Sequence, residues 1–253
     1  MENLGASLAW GAAVGASLVA GAVAAAFLRL PPRVAATLTA FGGGILFAAV
    51  AFELVPEADR RAGVALTAVG LMAGTLVYVV ADWWLSRDAG QDRMRRSGHA
   101  AAAGRPMDMH SAEATRGESI AAGLFVDGVP ESIALGLTVA EGEIGVALLA
   151  GVLVGNVVEA YGAAQPIVAG GHSRRFAITL LAVIGAALAL ATVLGGTVLA
   201  DASGDVIGTA QAIAAGAVLA VITIAIVPHA FEEVSRLVAS ATVLGFIAGY
   251  LLS

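Results

Sequence analysis

Long apolar runs separated by short polar connections are the feature that most limits how this chain can fold. Eight runs, each bounded by charged residues, Pro or Gly, cover residues 5–28, 34–55, 63–86, 118–140, 144–169, 176–199, 206–228 and 237–252. A helix needs about 20 mostly apolar residues to cross a bilayer. Only 13% of the residues are charged, whereas a soluble domain carries about 25%. The sequence therefore predicts an all-α membrane protein in which residues 1–253 form a single transmembrane domain of eight helices.

The same composition limits the function. The spans leave no room for a nucleic-acid-binding module or for a large catalytic domain outside the membrane. The chain has no Cys, which excludes disulfides, thiolate metal sites and thiol nucleophiles. It also lacks the GxxxxGK[ST] segment that cradles nucleotide phosphates. We therefore expect the lipid bilayer as the surroundings, no nucleic-acid partner and no enzymatic activity.

The orientation follows from the basic residues, which are all Arg. With the amino terminus outside, 11 of the 13 Arg face the cytoplasm, as the positive-inside bias requires. This distribution predicts a bacterial inner (plasma) membrane protein with both termini outside. Residues 87–117, which hold six Arg among small and acidic residues, are expected to form a flexible cytoplasmic loop between the third and fourth helices.

An internal similarity links the second and seventh runs. Residues 42–58 align without gaps to residues 214–230, and the identical pairs are Gly44/Gly216, Ala48/Ala220, Val55/Val227, Pro56/Pro228 and Ala58/Ala230. Five identities in Ala-rich segments can arise by chance. A true match indicates an inverted 3+2+3 repeat, in which two three-helix units move against a central pair, as in many secondary transporters.

Two carboxylates lie near the middle of the fourth apolar run, where a membrane-spanning helix is farthest from water. Asp127 and Glu131 stand four residues apart on one face of the fourth helix, and Pro130 between them frees a backbone carbonyl. An Asp at the centre of a span costs about 2.5 kcal/mol even on the mildest scale. Two carboxylates and a freed carbonyl on one face are suitable ligands for a hard cation.

The fifth helix carries a second polar pair at the same depth. Asn156 and Glu159 are three residues apart, near the middle of their run, as Asp127 and Glu131 are in theirs. A divalent cation can neutralise the three carboxylates, and so can shared protons. The alternative is a protonated carboxyl network that only joins two helices.

These features resemble the ZIP (Zrt/Irt-like) family of metal transporters over nearly the whole chain. The family's fourth helix typically carries His-Asn-x-Pro-Glu-Gly, and residues 127–132 here read DGVPES. Its fifth helix carries a related motif that ends in a ligand Glu, which matches Glu159. The resemblance implies that Asp127, Glu131, Asn156 and Glu159 line a metal site in a secondary transporter or channel-like carrier. It implies Zn, Mn, Fe or a similar divalent cation as the substrate, and no other cofactor.

Departures from the family pattern narrow this expectation. Neither helix contains His, Gly155 stands where a ligand is expected, and the sixth run has no carboxylate. These differences favour one metal over two adjacent ones. An all-oxygen ligand set is more typical of Mn, Fe(II) or Mg than of Zn, although carboxylates do bind Zn. A non-transporting homologue that senses or binds metal is the alternative. An intramembrane aspartyl protease is disfavoured because Asp127 has no second Asp at mid-membrane.

Three further residues are weaker candidates. Glu53, near the outer end of the second helix, is a possible entrance ligand or else a carboxylate turned to water. The resemblance implies His229 and Glu232 as exit ligands, while a solubilising cluster at a helix end is the alternative. Many small residues recur at spacings of four, for instance Gly11 and Gly15. They predict close helix packing and leave a homodimer open.

Overall fold

Helix is the only regular structure in the described part of the chain. The computed structural model describes residues 2–102, 109–140, 145–198 and 202–253. Its α-helices are α1 (Glu2–Phe27), α2 (Pro32–Ala49), α3 (Val55–Ala102), α4 (Met109–Ala140), α5 (Val146–Ala169), α6 (Arg174–Val198), α7 (Gly204–Val221), α8 (Val227–Val234) and α9 (Leu237–Leu252). The predicted all-α class is confirmed for these residues.

Six helical stretches in the described residues are long and apolar enough to cross a membrane. They are Leu4–Phe27, Arg33–Trp84, Ala121–Val139, Val146–Ala169, Arg174–Val198 and Gly204–Val234. These are the helices of a multi-pass membrane protein. The second stretch has 52 residues, about twice what one crossing needs, and it is broken at Gly63, whose φ of 76° and ψ of 162° are not helical. The predicted eight crossings further require the 16-residue α9 to span the membrane.

The described residues of the segment 87–117 lie in helices. The structure extends α3 to Ala102 and begins α4 at Met109, so that helix covers most of this segment. Residues 103–108 lie outside the described part of the chain. The flexibility of this connection and its cytoplasmic side stay predictions.

Two short π-helices lie at equivalent positions of the aligned segments 42–58 and 214–230. One covers Val50–Leu54 between α2 and α3, and the other covers Ile222–Ile226 between α7 and α8. The alignment of residues 42–58 with 214–230 places the second on the first, residue for residue. A Val-Pro pair follows each π-helix. Because proline lacks an N–H and crowds the preceding turn, a wider turn before it allows the helix to continue.

Glycines bring the backbones of two helix pairs together. A Cβ on Gly44 of α2 would overlap the carbonyl oxygen of Thr242 of α9. A Cβ on Gly216 of α7 would overlap the carbonyl oxygen of Leu71 of α3. Gly44 and Gly216 are equivalent in the alignment. The packing of α2 on α9 therefore corresponds to the packing of α7 on α3.

The same contacts show in which directions these helices run. Gly245 lies against Phe41 and Gly249 against Ile45, so α2 and α9 are parallel. The α8–α9 connection is a two-residue turn, and Ala230 and Val238 on its two sides pack in one small cluster with Ala40 in the middle of α2. Helix α9 thus returns from the end of the bundle that α8 reaches. Consequently α2 runs opposite to α7 and α8.

Packing divides the helices into two groups. Helices α1 and α4 each pack extensively on α5 and α6. Helix α2 packs chiefly on α9, and α3 chiefly on α7. Contacts of α2 with α5 and of α4 with α7 join the groups. The expected three-helix units stay a prediction, since packing alone places α1 with α5 and α6.

We predict that Gly44→Ala and Gly216→Ala each destabilise the fold by about 1 to 3 kcal/mol, because the added methyl overlaps a backbone oxygen. Thermal unfolding in detergent, followed by circular dichroism, measures this effect. Gly162→Ala is the control, since a Cβ there meets no atom within 4 Å. Unchanged stability of either packed variant would contradict the close approach.

Candidate cation site at the end of a cavity

Buried polar side chains lie in the middle of α4 and α5. Asp127 is 9% exposed and Glu131 is 6% exposed, and their spacing of four places both on one face of α4. On α5, Asn156 is 2% exposed and Glu159 is partly exposed. Helices α4 and α5 pack against each other. All four predicted ligands therefore belong to one pair of neighbouring helices.

A cavity of about 810 Å³ reaches this region from one end of the bundle. Of the four predicted ligands it reaches Asp127 and Glu159. Its mouth is formed by exposed side chains at helix ends, namely Arg29, Arg174, His229 and Glu233. Glu131 and Asn156 lie about one turn further from the mouth along their helices. The cavity thus connects the surface to two of the carboxylates at mid-bundle.

Tyr78 of α3 holds Asp127. Its hydroxyl donates a hydrogen bond of 2.6 Å to Oδ1 of Asp127, and the tyrosine itself is 2% exposed. The sequence interpretation missed this residue. Tyrosines of membrane proteins are enriched at the two interfaces, so a tyrosine well inside the apolar run 63–86 was the available signal.

Two buried polar atoms near Glu131 and Glu159 have no hydrogen-bond partner. They are Oγ of Ser132, which is fully buried, and Nδ2 of Asn156. An unpaired buried polar group costs about 1 to 3 kcal/mol. Because the oxygen and nitrogen of an Asn amide are readily exchanged in a structure, Asn156 can turn an oxygen toward a cation. This region therefore has unused capacity for a polar ligand.

The predicted ligands are not gathered into a finished metal site. Among the described residues, no three His, Asp or Glu side chains lie together in a group that could hold one ion. Two of the four candidates, Asp127 and Glu159, border the cavity, and Glu131 and Asn156 are buried behind it. The four-residue ligand set stays a prediction, and it requires these side chains to converge.

Glu53, the predicted entrance residue, caps a helix. Its two carboxylate oxygens each accept a backbone hydrogen bond of 3.1 Å, one from the N–H of Ala147 and one from that of Leu148. These N–H groups belong to the first turn of α5, where they have no partner within the helix. A negative charge also suits the positive end of the helix dipole. Glu53 therefore joins the first π-helix to the start of α5.

The predicted exit residues lie at the other end. His229 lines the cavity mouth, and so does Glu233, one helical turn further on. Glu232, which the sequence interpretation favoured, is exposed and does not border this cavity. A spacing of four on α8 thus brings His229 and Glu233 together at the mouth.

Tyr161 of α5 forms hydrogen bonds with the connection between α1 and α2 at the cavity mouth. Its hydroxyl accepts a hydrogen bond from the backbone N–H of Leu30 at 2.6 Å and donates one to the carbonyl of Leu28 at 3.2 Å. The side-chain amide of Gln165 donates to the same hydroxyl at 2.9 Å. The connection between α1 and α2 is thereby tied to α5. Nothing in the sequence pattern indicated this contact, which joins residues more than 130 positions apart.

No model of a known protein family matches this chain, and no curated protein matches it either. The chain's own residues and their placement therefore carry the functional proposal.

We predict that Glu53→Ala destabilises the protein by about 1 to 2 kcal/mol, as the loss of other helix caps does. The reason is that two backbone N–H groups at the start of α5 lose their acceptors. Thermal unfolding in detergent measures the change, and the exposed Glu232→Ala serves as the control, with an effect within about 0.5 kcal/mol. Equal stability of both variants would mean that the cap contributes nothing.

Proposed function

We propose that this protein is a secondary transporter that moves a divalent metal cation (Zn, Mn, Fe or similar) into the cytoplasm, as a divergent member of the ZIP (Zrt/Irt-like) family. The observation that carries the proposal is the cavity that leads from exposed residues to Asp127 and Glu159. Ionisable side chains at this depth are costly, and in membrane proteins they mark ion pathways. A divalent cation offsets the cost by neutralising the carboxylates.

The packing supports eight crossings arranged as an inverted 3+2+3 repeat. The two π-helices coincide in the alignment, and their helices run in opposite directions. The parallel pair α2 and α9 is matched by α3 and α7, where Gly70 lies against Ala212 and Gly74 against Ala217. This second pairing requires the chain to reverse direction at Gly63. In such a repeat α4 and α5 are the central pair, which is where transporters of this construction bind their substrates.

The charges at the cavity mouth favour the cytoplasmic side. Arg29 and Arg174 lie there, and Arg accumulates on the cytoplasmic side of bacterial membrane proteins. In the proposed orientation, with both termini outside, the cavity opens inward and the Glu53 cap lies on the outer side. The arrangement corresponds to a carrier that is ready to release its cation.

The proposed path uses the four candidate ligands in order of depth. A cation from outside meets Glu131 and Asn156 first, and Asp127 and Glu159 next, before it enters the cavity. His229 and Glu233 at the mouth, which are exposed to water, then bind the cation more weakly. All four ligands belong to the group formed by α1 and α4–α6, so access alternates when this group moves against the other helices. The gradient of the metal or of another ion drives the cycle.

The ligand chemistry favours cations that accept oxygen ligands. Asp127, Glu131 and Glu159 supply carboxylates, and Asn156 supplies an amide oxygen. Mn²⁺ and Fe²⁺ suit this set, while Zn²⁺ more often takes nitrogen and sulfur. The proposed substrate class is therefore a divalent transition metal, with Mn²⁺ as the first ion to test.

A non-transporting homologue that senses or binds metal is the second candidate. One observation favours it: no three His, Asp or Glu side chains in the described ranges are grouped closely enough to hold an ion. Such a protein would bind metal in detergent but move none across a bilayer. Calorimetry alongside a flux assay therefore separates the two.

We predict that proteoliposomes of this protein take up Mn²⁺, and that Asp127→Asn and Glu159→Gln reduce uptake to near background, because each removes one negative charge at the proposed site. A panel of Mn²⁺, Zn²⁺, Fe²⁺, Cd²⁺ and Mg²⁺, with a fluorescent indicator inside the vesicles, measures the selectivity. Asp205→Asn, an exposed carboxylate at the start of α7, is the control and transports at the parent rate. Parent-like uptake by both site variants would refute the site, and binding without uptake would support the sensor.

We predict that a cysteine at residue 162 is labelled from the cytoplasmic side and one at residue 155 is not. Gly162→Cys borders the cavity, whereas Gly155 is buried, and a Cβ meets no atom within 4 Å at either position. Because the chain has no Cys, there is no background labelling. A membrane-impermeant maleimide applied to intact cells and to inside-out vesicles reads the side. Labelling of Gly162→Cys in intact cells only would reverse the proposed orientation.

A further inference from the structure

We infer that Tyr78 is a positioning residue for the cation site, because its hydroxyl holds one oxygen of Asp127 and leaves the other oxygen to bind the ion. This inference rests on the transporter function proposed above and goes beyond it. It concerns a residue on α3, outside the helix pair that carries all four candidate ligands. The hydroxyl of Tyr78 determines the orientation in which the Asp127 carboxylate binds the cation.

The geometry is that of a strong hydrogen bond. The distance from the Tyr78 hydroxyl to Oδ1 of Asp127 is 2.6 Å, within the range of about 2.5 to 2.7 Å for a hydroxyl that donates to a charged oxygen. Both side chains are buried, so water competes little for either partner. A buried phenol and a buried carboxylate at this distance form a defined pair.

The hydroxyl contacts Asp127 from the wall of the cavity. Asp127 borders the cavity, whereas Tyr78 does not. One carboxylate oxygen of Asp127 is therefore bound by the protein, while the residue itself lines the cavity. A cation in the cavity would therefore meet a carboxylate whose orientation is already fixed by the hydrogen bond from Tyr78 to Oδ1.

Fixing a ligand in this way strengthens metal binding. Groups that hydrogen-bond to metal ligands orient them, and replacing such a group typically costs about 10- to 100-fold in metal affinity. A free carboxylate would have to lose its rotational freedom when the ion binds. The tyrosine removes that cost before binding.

The bond also joins the two helix groups, because α3 packs on α7 while α4 packs on α5 and α6. A pure latch between the groups would alter the rate at which they move. A positioning residue would alter the affinity for the cation. The hydroxyl contacts a candidate ligand directly, which favours the effect on affinity.

The test is Tyr78→Phe, which keeps the ring and removes the hydroxyl. Mn²⁺ uptake in proteoliposomes gives KM and kcat, and calorimetry in detergent gives Kd for Mn²⁺. We expect KM and Kd to rise about 10- to 100-fold while kcat stays close to that of the parent. Tyr250→Phe is the matched control, because it makes the same chemical change at an exposed tyrosine whose ring lies tilted against that of Phe52, and it leaves both values unchanged.

Each other outcome overturns the inference. Unchanged KM and Kd in Tyr78→Phe would show that the hydroxyl does not position Asp127, and a changed kcat at constant KM would show a latch.

Tyr78→His, which retains an N–H donor, restores part of the affinity if the hydrogen bond is the cause. Should Tyr78→Phe fail to fold, Tyr78→Met removes the donor in the same way and is read against the same expectation.

The outcome for the parent protein is separate. If the parent neither binds nor transports any cation of the panel, the proposed function fails, whatever Tyr78 does. If the parent transports Mn²⁺ and Tyr78→Phe matches it in KM and Kd, only the role of Tyr78 fails.

Discussion

The scarcity of water inside the bilayer is the constraint on which the rest of this structure depends. A backbone that crosses lipid has to satisfy its N–H and C=O groups internally, which selects helices. The prolines after Val55 and Val227 cannot donate a backbone hydrogen bond. In the π-helices before them, the N–H groups of Val55 and Val227 donate to carbonyls five residues back, those of Val50 and Ile222. The same constraint acts on the carboxylates, because Asp127 and Glu53 both accept hydrogen bonds from within the protein.

Packing follows from the same surroundings. In lipid, helices gain little by burying apolar side chains against each other, so association relies on close backbone contact at small residues. Gly44 and Gly216 provide such contacts in corresponding helix pairs, and Gly15 packs directly on Gly185 between α1 and α6. Close contact of this kind holds each group of helices together, while the α4–α5 pair carries the buried polar side chains.

The sequence predicted the helices well and the tertiary contacts poorly. Apolar runs predicted the all-α class and the long apolar helices, because helix length in a membrane is set by its thickness. Their depth in these runs made Asp127, Glu131 and Glu159 the candidate ligands. The partners of these residues were not predictable. Tyr78 reaches Asp127 from 49 positions away, and Glu53 reaches α5 from 94 positions away. Spacing along one helix shows which residues share a face, but it does not show what the neighbouring helix places opposite them.

The two π-helices differ at one position of the proposed repeat, and the two residues there have different surroundings. Glu53 lies in the first π-helix and binds the start of α5. The equivalent position in the second π-helix is Ala225, which lines the cavity. An alanine side chain has no acceptor with which to draw a neighbouring helix inward. At the same point of the proposed repeat, the first π-helix thus carries a carboxylate that binds the neighbouring helix α5, and the second carries a methyl group that lines the cavity.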